Sequence, residues 1–193
     1  MFQQAHHISF DLPGWLEPYS QDYMPGTDLK SRMDFVISAS RKNVEQGTGG
    51  PFAAAIFEIE TGELVSLGVN LVMTQGMSFL HAEIVALAVA QRKLGSYNLG
   101  EVSATGYELL SSTEPCAMCL GAIPWSGVRQ VVTAARDEDA RAIGFDEGAK
   151  PENWIQSLKS RGINVIADIE RESARSVLQL YSVQEGHIYN AEE

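Results

Sequence analysis

The sequence predicts one α/β domain of three layers, with helices on both faces of a central five-stranded sheet. Three observations carry this. Five short apolar runs of strand length are separated by longer stretches with helical spacing. The first two runs are joined by a Thr61-Gly62 turn, and strands and helices alternate after them. The 193 residues are 45% hydrophobic, enough for one full core, and contain no repeat or low-complexity stretch.

Residues 1–26 hold His6, His7 and three prolines without a clear period, and read as an irregular arm ahead of a unit spanning 27–185. From Asp28 to Gln46 the apolar positions Leu29, Met33, Val36, Ile37 and Val44 recur at helical spacing. Thr27 and Asp28 supply capping chemistry, and Gly47–Gly50 stops the helix. Phe52–Glu60 and Glu63–Val72 read as the hairpin strands, followed by an irregular loop over Thr74–Leu80. His81–Leu94 is apolar almost all round, the profile of a buried helix. Val102–Leu110 reads as a third strand, Pro115 opens a short helix to about Trp125, and Val128–Ala134 is a fourth strand. Pro151–Arg161 is a helix, Ile163–Ile169 a fifth strand, and Arg171–Val183 a last helix. The tail 186–193 carries an apolar pair, Ile188-Tyr189, that a free tail would not need.

Composition narrows the function classes. The formal net charge of −11 argues against a grip on a long phosphate backbone. Two cysteines exclude a disulfide scaffold. The N-terminus lacks a basic stretch followed by an apolar one, and the longest apolar run, Ile84–Ala90, is too short to cross a bilayer. The expected location is the cytoplasm, where thiols stay reduced.

Two short motifs matter together: His81-Ala82-Glu83 and Pro115-Cys116-Ala117-Met118-Cys119, each opening a helix. One imidazole and two thiolates are three zinc ligands, which leaves a fourth tetrahedral position for water, as in catalytic sites. Cys116 and Cys119 stand three apart, so both sulfurs can point the same way from one helical turn. The N–H groups exposed at that turn favour ionised thiols. Glu83 lies two residues from His81 and can sit beside the water rather than on the metal, as a proton carrier. Zinc lowers the pKa of such a water to about 7. Alone, C-x-x-C also fits a redox dithiol or half of a structural zinc site, and H-x-E alone is background. The joint pattern, in this order, is the signature of zinc nucleobase deaminases.

With these motifs the sequence resembles the cytidine/deoxycytidylate deaminase superfamily over about Met33 to Ile166. Gly50-Pro51-Phe52-Ala53-Ala54 and Asn70 belong to the match. Glu114-Pro115-Cys116-Ala117-Met118-Cys119-Leu120-Gly121-Ala122 resembles its purine-base branch. Ile123-Pro124-Trp125-Ser126, Ile143-Gly144-Phe145-Asp146-Glu147-Gly148, Lys150-Pro151-Glu152-Asn153-Trp154 and His187-Ile188-Tyr189-Asn190 are similar to bacterial guanine deaminases. The resemblance implies a cytidine-deaminase-like α/β/α fold with a mixed five-stranded sheet, one zinc ion per chain, a purine base as substrate and a homodimer.

Residue by residue, it implies zinc on His81, Cys116 and Cys119, with Glu83 as proton shuttle. Asn70 and the Ala82 N–H would orient the base, and Phe52 would stack on it. Trp125 would close the pocket across a dimer. Glu147, or else Asp146, would meet the two adjacent donors of guanine, N1–H and the N2 amine, with a pair of carboxylate oxygens. Tyr189 would cap the site as part of a lid. Departures surround the base pocket: Gln75–Leu80 precede His81 in place of an Asp-Pro-Thr run, and Ala53 replaces a frequent glycine.

The leading expectation is hydrolysis of guanine to xanthine and ammonia. The same chemistry on guanosine, a cytosine compound, an amino-triazine or tRNA adenosine stands as an alternative, the last disfavoured by the acidic charge. A zinc-bearing binding protein without catalysis is the alternative of another class, and the intact Glu83 speaks against it.

Overall fold

The computed structural model describes residues 4–26 and 28–190. Its elements are α1 (Leu16–Gln21), α2 (Leu29–Glu45), β1 (Ala53–Glu58), β2 (Leu64–Val69), α3 (Val72–Gln75), α4 (Ala82–Leu94), β3 (Tyr107–Thr113), α5 (Ala117–Ser126), β4 (Gln130–Ala135), α6 (Asp137–Arg141), α7 (Trp154–Lys159), β5 (Asn164–Ile166) and α8 (Arg171–Val183). The strands form one sheet in the order β2-β1-β3-β4-β5. β1 is antiparallel to both β2 and β3, while β3, β4 and β5 run parallel. The sheet is therefore mixed, as the resemblance implied.

Alternation along β1 explains the three layers. Ala53, Ala55 and Phe57 face one core with Met33 and Val36 of α2 and Val177 and Leu178 of α8. Ala54 and Ile56 face the other, with Ala86 and Leu87 of α4, Ile123 of α5 and Leu158 of α7. Both faces are covered, so the strands read as near-continuous apolar runs. α4 lies very close on β2: a Cβ at Gly68 would overlap the Ala82 carbonyl and the Ala86 amide, so only glycine fits there.

The helix starts follow capping chemistry. The Asp28 carboxylate accepts from the Lys30 and Ser31 amides at 3.3 and 3.0 Å, which opens α2. Thr27, the other expected capping residue, lies outside the described residues. α8 matches the expected span.

Four expectations change. The arm is not irregular throughout, because α1 forms and its flank packs on α2: the Tyr19 and Phe35 rings stack at 4.8 Å. A helical turn, α3, stands where the loop was expected to begin. The third strand starts at Tyr107, not Val102, because Ser103 and Thr105 donate to Glu58 and fold the chain into a turn before it. α6 was not foreseen. No described helix is long and apolar enough to cross a membrane.

One end of the sheet gathers the chemistry. The end of β3, the start of antiparallel β1 and the end of β2 lie side by side there, as the pairs Ala54–Ser111 and Ala53–Val69 require. The chain leaves β3 straight into Glu114-Pro115-Cys116.

Candidate active site

His81 and Cys116 occupy the same place on two helices, the residue just before the first turn, both with extended backbone. Each side chain therefore projects beyond a helix start. Cys119 follows on the first turn of α5 and is fully buried. The ligand atoms of His81, Cys116 and Cys119 lie within 4.8 Å of one another, and Cys116 Sγ stands 3.5 Å from His81 Nδ1. The Cys119 hydrogen bond and the His81 imidazole hold the Cys116 thiol down to about 4, while its thiolate partner and burial push Cys119 up.

Glu83 sits one helical step beyond, 6% exposed. Ser111 Oγ donates to its Oε1 at 3.4 Å, and Cys119 Sγ lies 3.5 Å from its Oε2. Burial raises its carboxyl, and the Cys116 charge adds to that. Glu147 is a second buried carboxyl, also 6% exposed. Burial and then the charges of Cys116 and Glu83 push it to about 8. Two buried carboxyls and the Cys116 thiol thus face one small space, and the Cys116 charge raises both carboxyls. A dication relieves that crowding. The donor set of one nitrogen and two sulfurs, one of them already inclined to ionise, fits zinc with a position to spare.

The base-facing candidates converge as well. Phe52, Asn70, His81, Glu83, Cys116, Asp146, Glu147 and Tyr189 line one cavity. The space left free among them is about 20 Å³, room for one water. Tyr189 is one of the lining residues. Its hydroxyl accepts from Asn70 Nδ2, and its ring meets Phe145 at 5.3 Å and His81 at 6.0 Å. Asn70 is itself held from behind: Asn43 Nδ2 donates to the Asn70 carbonyl at 3.0 Å, and a Cβ at Gly49 would overlap that carbonyl.

Asp146 and Glu147 part company. The Asp146 side chain is 66% exposed, accepts from the Gly148 amide at 2.8 Å and faces Arg141. It caps its own turn, while Glu147 points inward. Ala82 is buried at the first position of α4. Trp125 lies outside the pocket of its own chain, at the far end of α5 and 84% exposed.

Sequence reasoning left out Thr113, Glu114 and Phe145, which also line the cavity. Phe145 braces Phe52 at 4.9 Å and Tyr181 at 6.0 Å. The signal for Phe145 was its place in the Gly144–Gly148 motif. The signal for Asn43 was an amide on the apolar face of α2.

The cytidine and deoxycytidylate deaminase zinc-binding region, as a family model, matches residues 27–135. The guanine deaminase of Bacillus subtilis (strain 168) is 38% identical over 111 residues, which is 58% of this chain and 67% of that protein. The solved guanine deaminase of Nitrosomonas europaea superposes with a TM-score of 0.88 at 40% identity, covering 94% of this chain and 100% of that one. A structure of the NE0047 protein in complex with 2,6-diaminopurine gives a TM-score of 0.88 at 43% identity and covers 98% of each chain.

Proposed function

We propose that this chain, which belongs to the cytidine and deoxycytidylate deaminase family, removes the exocyclic amine of a purine base by hydrolysis, and that the base is guanine. The reaction consumes one water and gives xanthine and ammonia. The observation that carries the choice of base is Glu147: a second buried carboxyl lines the same pocket as Glu83. Guanine presents two adjacent N–H donors, and a carboxylate answers both. The identities of 38 to 43% to guanine deaminases and to a protein held with a diaminopurine support the same reading.

His81, Cys116 and Cys119 would hold the zinc ion. When bound, zinc supplies the Lewis acidity that makes water a nucleophile at neutral pH. The chain's own residues do the rest. Glu83 would carry two protons in turn: one from the attacking water to a ring nitrogen as the C–O bond forms, and then the proton of the added hydroxyl to the amine, which leaves as ammonia as the C–N bond breaks. Burial, and then the Cys116 charge, raise the Glu83 carboxyl from its ordinary range, which makes it a better proton acceptor than an exposed carboxylate. Asn70 offers a donor and an acceptor to the ring, and the Ala82 N–H stands at the helix start. Phe52, braced by Phe145, supplies an apolar wall for the ring.

Tyr189 and its tail act as a lid, and the Asn70 contact is the latch when no base is present. The active form is a homodimer in the cytoplasm, with Trp125 meeting the partner subunit. The exposed, apolar Trp125 and Met118 on α5 support that surface. The unit 27–185 carries the chemistry, with 186–193 as the lid.

Ammonia release from guanine, guanosine, cytosine, cytidine, adenine and an amino-triazine tests the reading. Guanine is expected to lead. Release from none of them by zinc-loaded protein overturns catalysis, and a lead for cytidine overturns the base.

A further inference from the structure

A charged cluster beside the pocket is not used by the chemistry above. Lys150 is nearly enclosed, its side chain 6% exposed. Its Nζ lies 2.9 Å from Glu114 Oε2 and 3.6 Å from Asp137 Oδ1, and 5.0 Å over the Trp154 ring. An ammonium is rarely enclosed to this degree, and only when it is paired. Asp137 Oδ1 is buried with no hydrogen-bond partner, so the field of Lys150 is what compensates it.

The position of this cluster gives it meaning. Glu114 immediately precedes Pro115-Cys116, and Lys150 closes the loop that carries Glu147. The loop is tied to α5 at the backbone as well: the Ala117 amide donates to the Glu147 carbonyl at 2.9 Å. Arg141 donates to the Gly148 carbonyl at 3.1 Å, but its side chain is 43% exposed and solvent weakens its hold. Lys150, 6% exposed, is the less solvent-weakened of the two ties.

We propose that Lys150 is a positioning residue: held between Glu114, Asp137 and the Trp154 face, it locks the Gly144–Lys150 loop against α5 and so fixes the Glu147 carboxyl over the pocket. This rests on reading Glu147 as the group that meets the base. Lys150 touches no reacting atom, and its effect passes through the loop. A shift of about 1 Å in a group that orients substrate costs on the order of a hundredfold in rate.

The test compares zinc-loaded wild type with Lys150→Met and Asp137→Asn. Lys150→Met keeps the apolar stem and removes the charge. In Lys150→Met, KM for guanine is expected to rise about tenfold and kcat to fall, with zinc per chain unchanged. Deuterium uptake is expected to rise at the 144–148 amides and to stay level in α2 and α8. Asp137→Asn loosens the clamp from the other side and shows the same pattern more weakly; because Asp137 Oδ2 also holds Arg141 Nε at 2.8 Å, Arg141→Met runs beside it and is expected to leave KM for guanine unchanged. Asp137→Asn carries the test alone should Lys150→Met not fold. An unchanged KM, with any loss of rate matched by a loss of folded or zinc-loaded protein, makes Lys150 structural only and overturns the proposal. Wild type runs in the same assay. No ammonia from guanine there removes the reading of function, whereas wild-type turnover with unchanged KM in Lys150→Met and Asp137→Asn removes only the role of Lys150.

Discussion

Asn70 and Tyr189, 119 residues apart, share a hydrogen bond inside the pocket. The tail thereby reaches into the cavity lined by Asn70, His81, Glu83 and Glu147. Asn190 adds a second hold, donating to the Gly144 carbonyl at 2.9 Å and accepting from the Asp146 amide at 3.0 Å. The tail grips the very loop that presents Glu147. Two effects of removing it oppose one another: entry becomes easier, but the loop loses two hydrogen bonds and the pocket loses its cover. Exclusion of water strengthens every polar interaction inside a closed site, so the second effect is expected to win. Truncation after Gly186 should lower kcat/KM for guanine by about tenfold or more. Steady-state kinetics on the truncated, zinc-loaded protein checks this, and an unchanged kcat/KM removes the lid.

Glu83→Gln keeps the size and one acceptor of the side chain and removes the proton carrier. The metal ligands are untouched, so zinc content should stay at the wild-type level. General acid–base catalysis accounts for about 10² to 10⁴ in rate, and kcat should fall by that much. Rapid-quench or ammonia assays measure it alongside metal analysis. Loss of zinc together with activity would show that Glu83 serves the metal site and not the proton transfer.

Glu147→Gln separates the two carboxyls. Gln offers one acceptor where the carboxylate offers two and brings a donor against the N–H edge of guanine. The Ala117–Glu147 contact is through the backbone and survives the change. Fold and zinc should be retained, while kcat/KM for guanine falls by about a hundredfold, as when a buried partner is left unmatched. Asp146→Asn, on an exposed side chain that caps its own turn, should cost far less. Near-normal turnover by Glu147→Gln would falsify the assignment.

These variants also mark where the sequence was legible. His81, Glu83, Cys116 and Cys119 could be read because each pair lies within one helical turn, and the turn itself sets their spacing. Asn70 and Glu147 could be tied to the site only through family motifs. Glu147 is buried by its place behind the start of α5, and no local pattern shows that. β3 was read too early because Val102 and the residues after it look strand-like, whereas the turn there is made by Glu58, 45 and 47 residues away from Ser103 and Thr105. α6 was missed for a similar reason. Five residues, mostly charged, show no apolar period, and the helix owes its place to Asp139 and to arginines distant in sequence.

Asp139 supplies the pH test of that last point. It closes the start of α6 by accepting from the Arg136 amide at 2.9 Å, and it receives Arg171 Nε at 2.9 Å and Nη2 at 3.0 Å from the start of α8. Asp139 is 8% exposed, but the Arg171 side chain is 25% exposed, so the pair is partly screened. The hydrogen bonds from Arg171, and then the one from the Arg136 amide, lower the Asp139 pKa below its ordinary 3.8. A carboxyl lowered by folding stabilises fully above its unfolded value and loses that contribution as pH falls through the folded one. Asp139→Asn should therefore be less stable than wild type by a constant amount above about pH 5, with the gap closing below pH 4. Urea unfolding of both proteins across that range measures it. A gap that persists unchanged at pH 3 would mean that the side chain acts by shape and capping, with no part played by its charge.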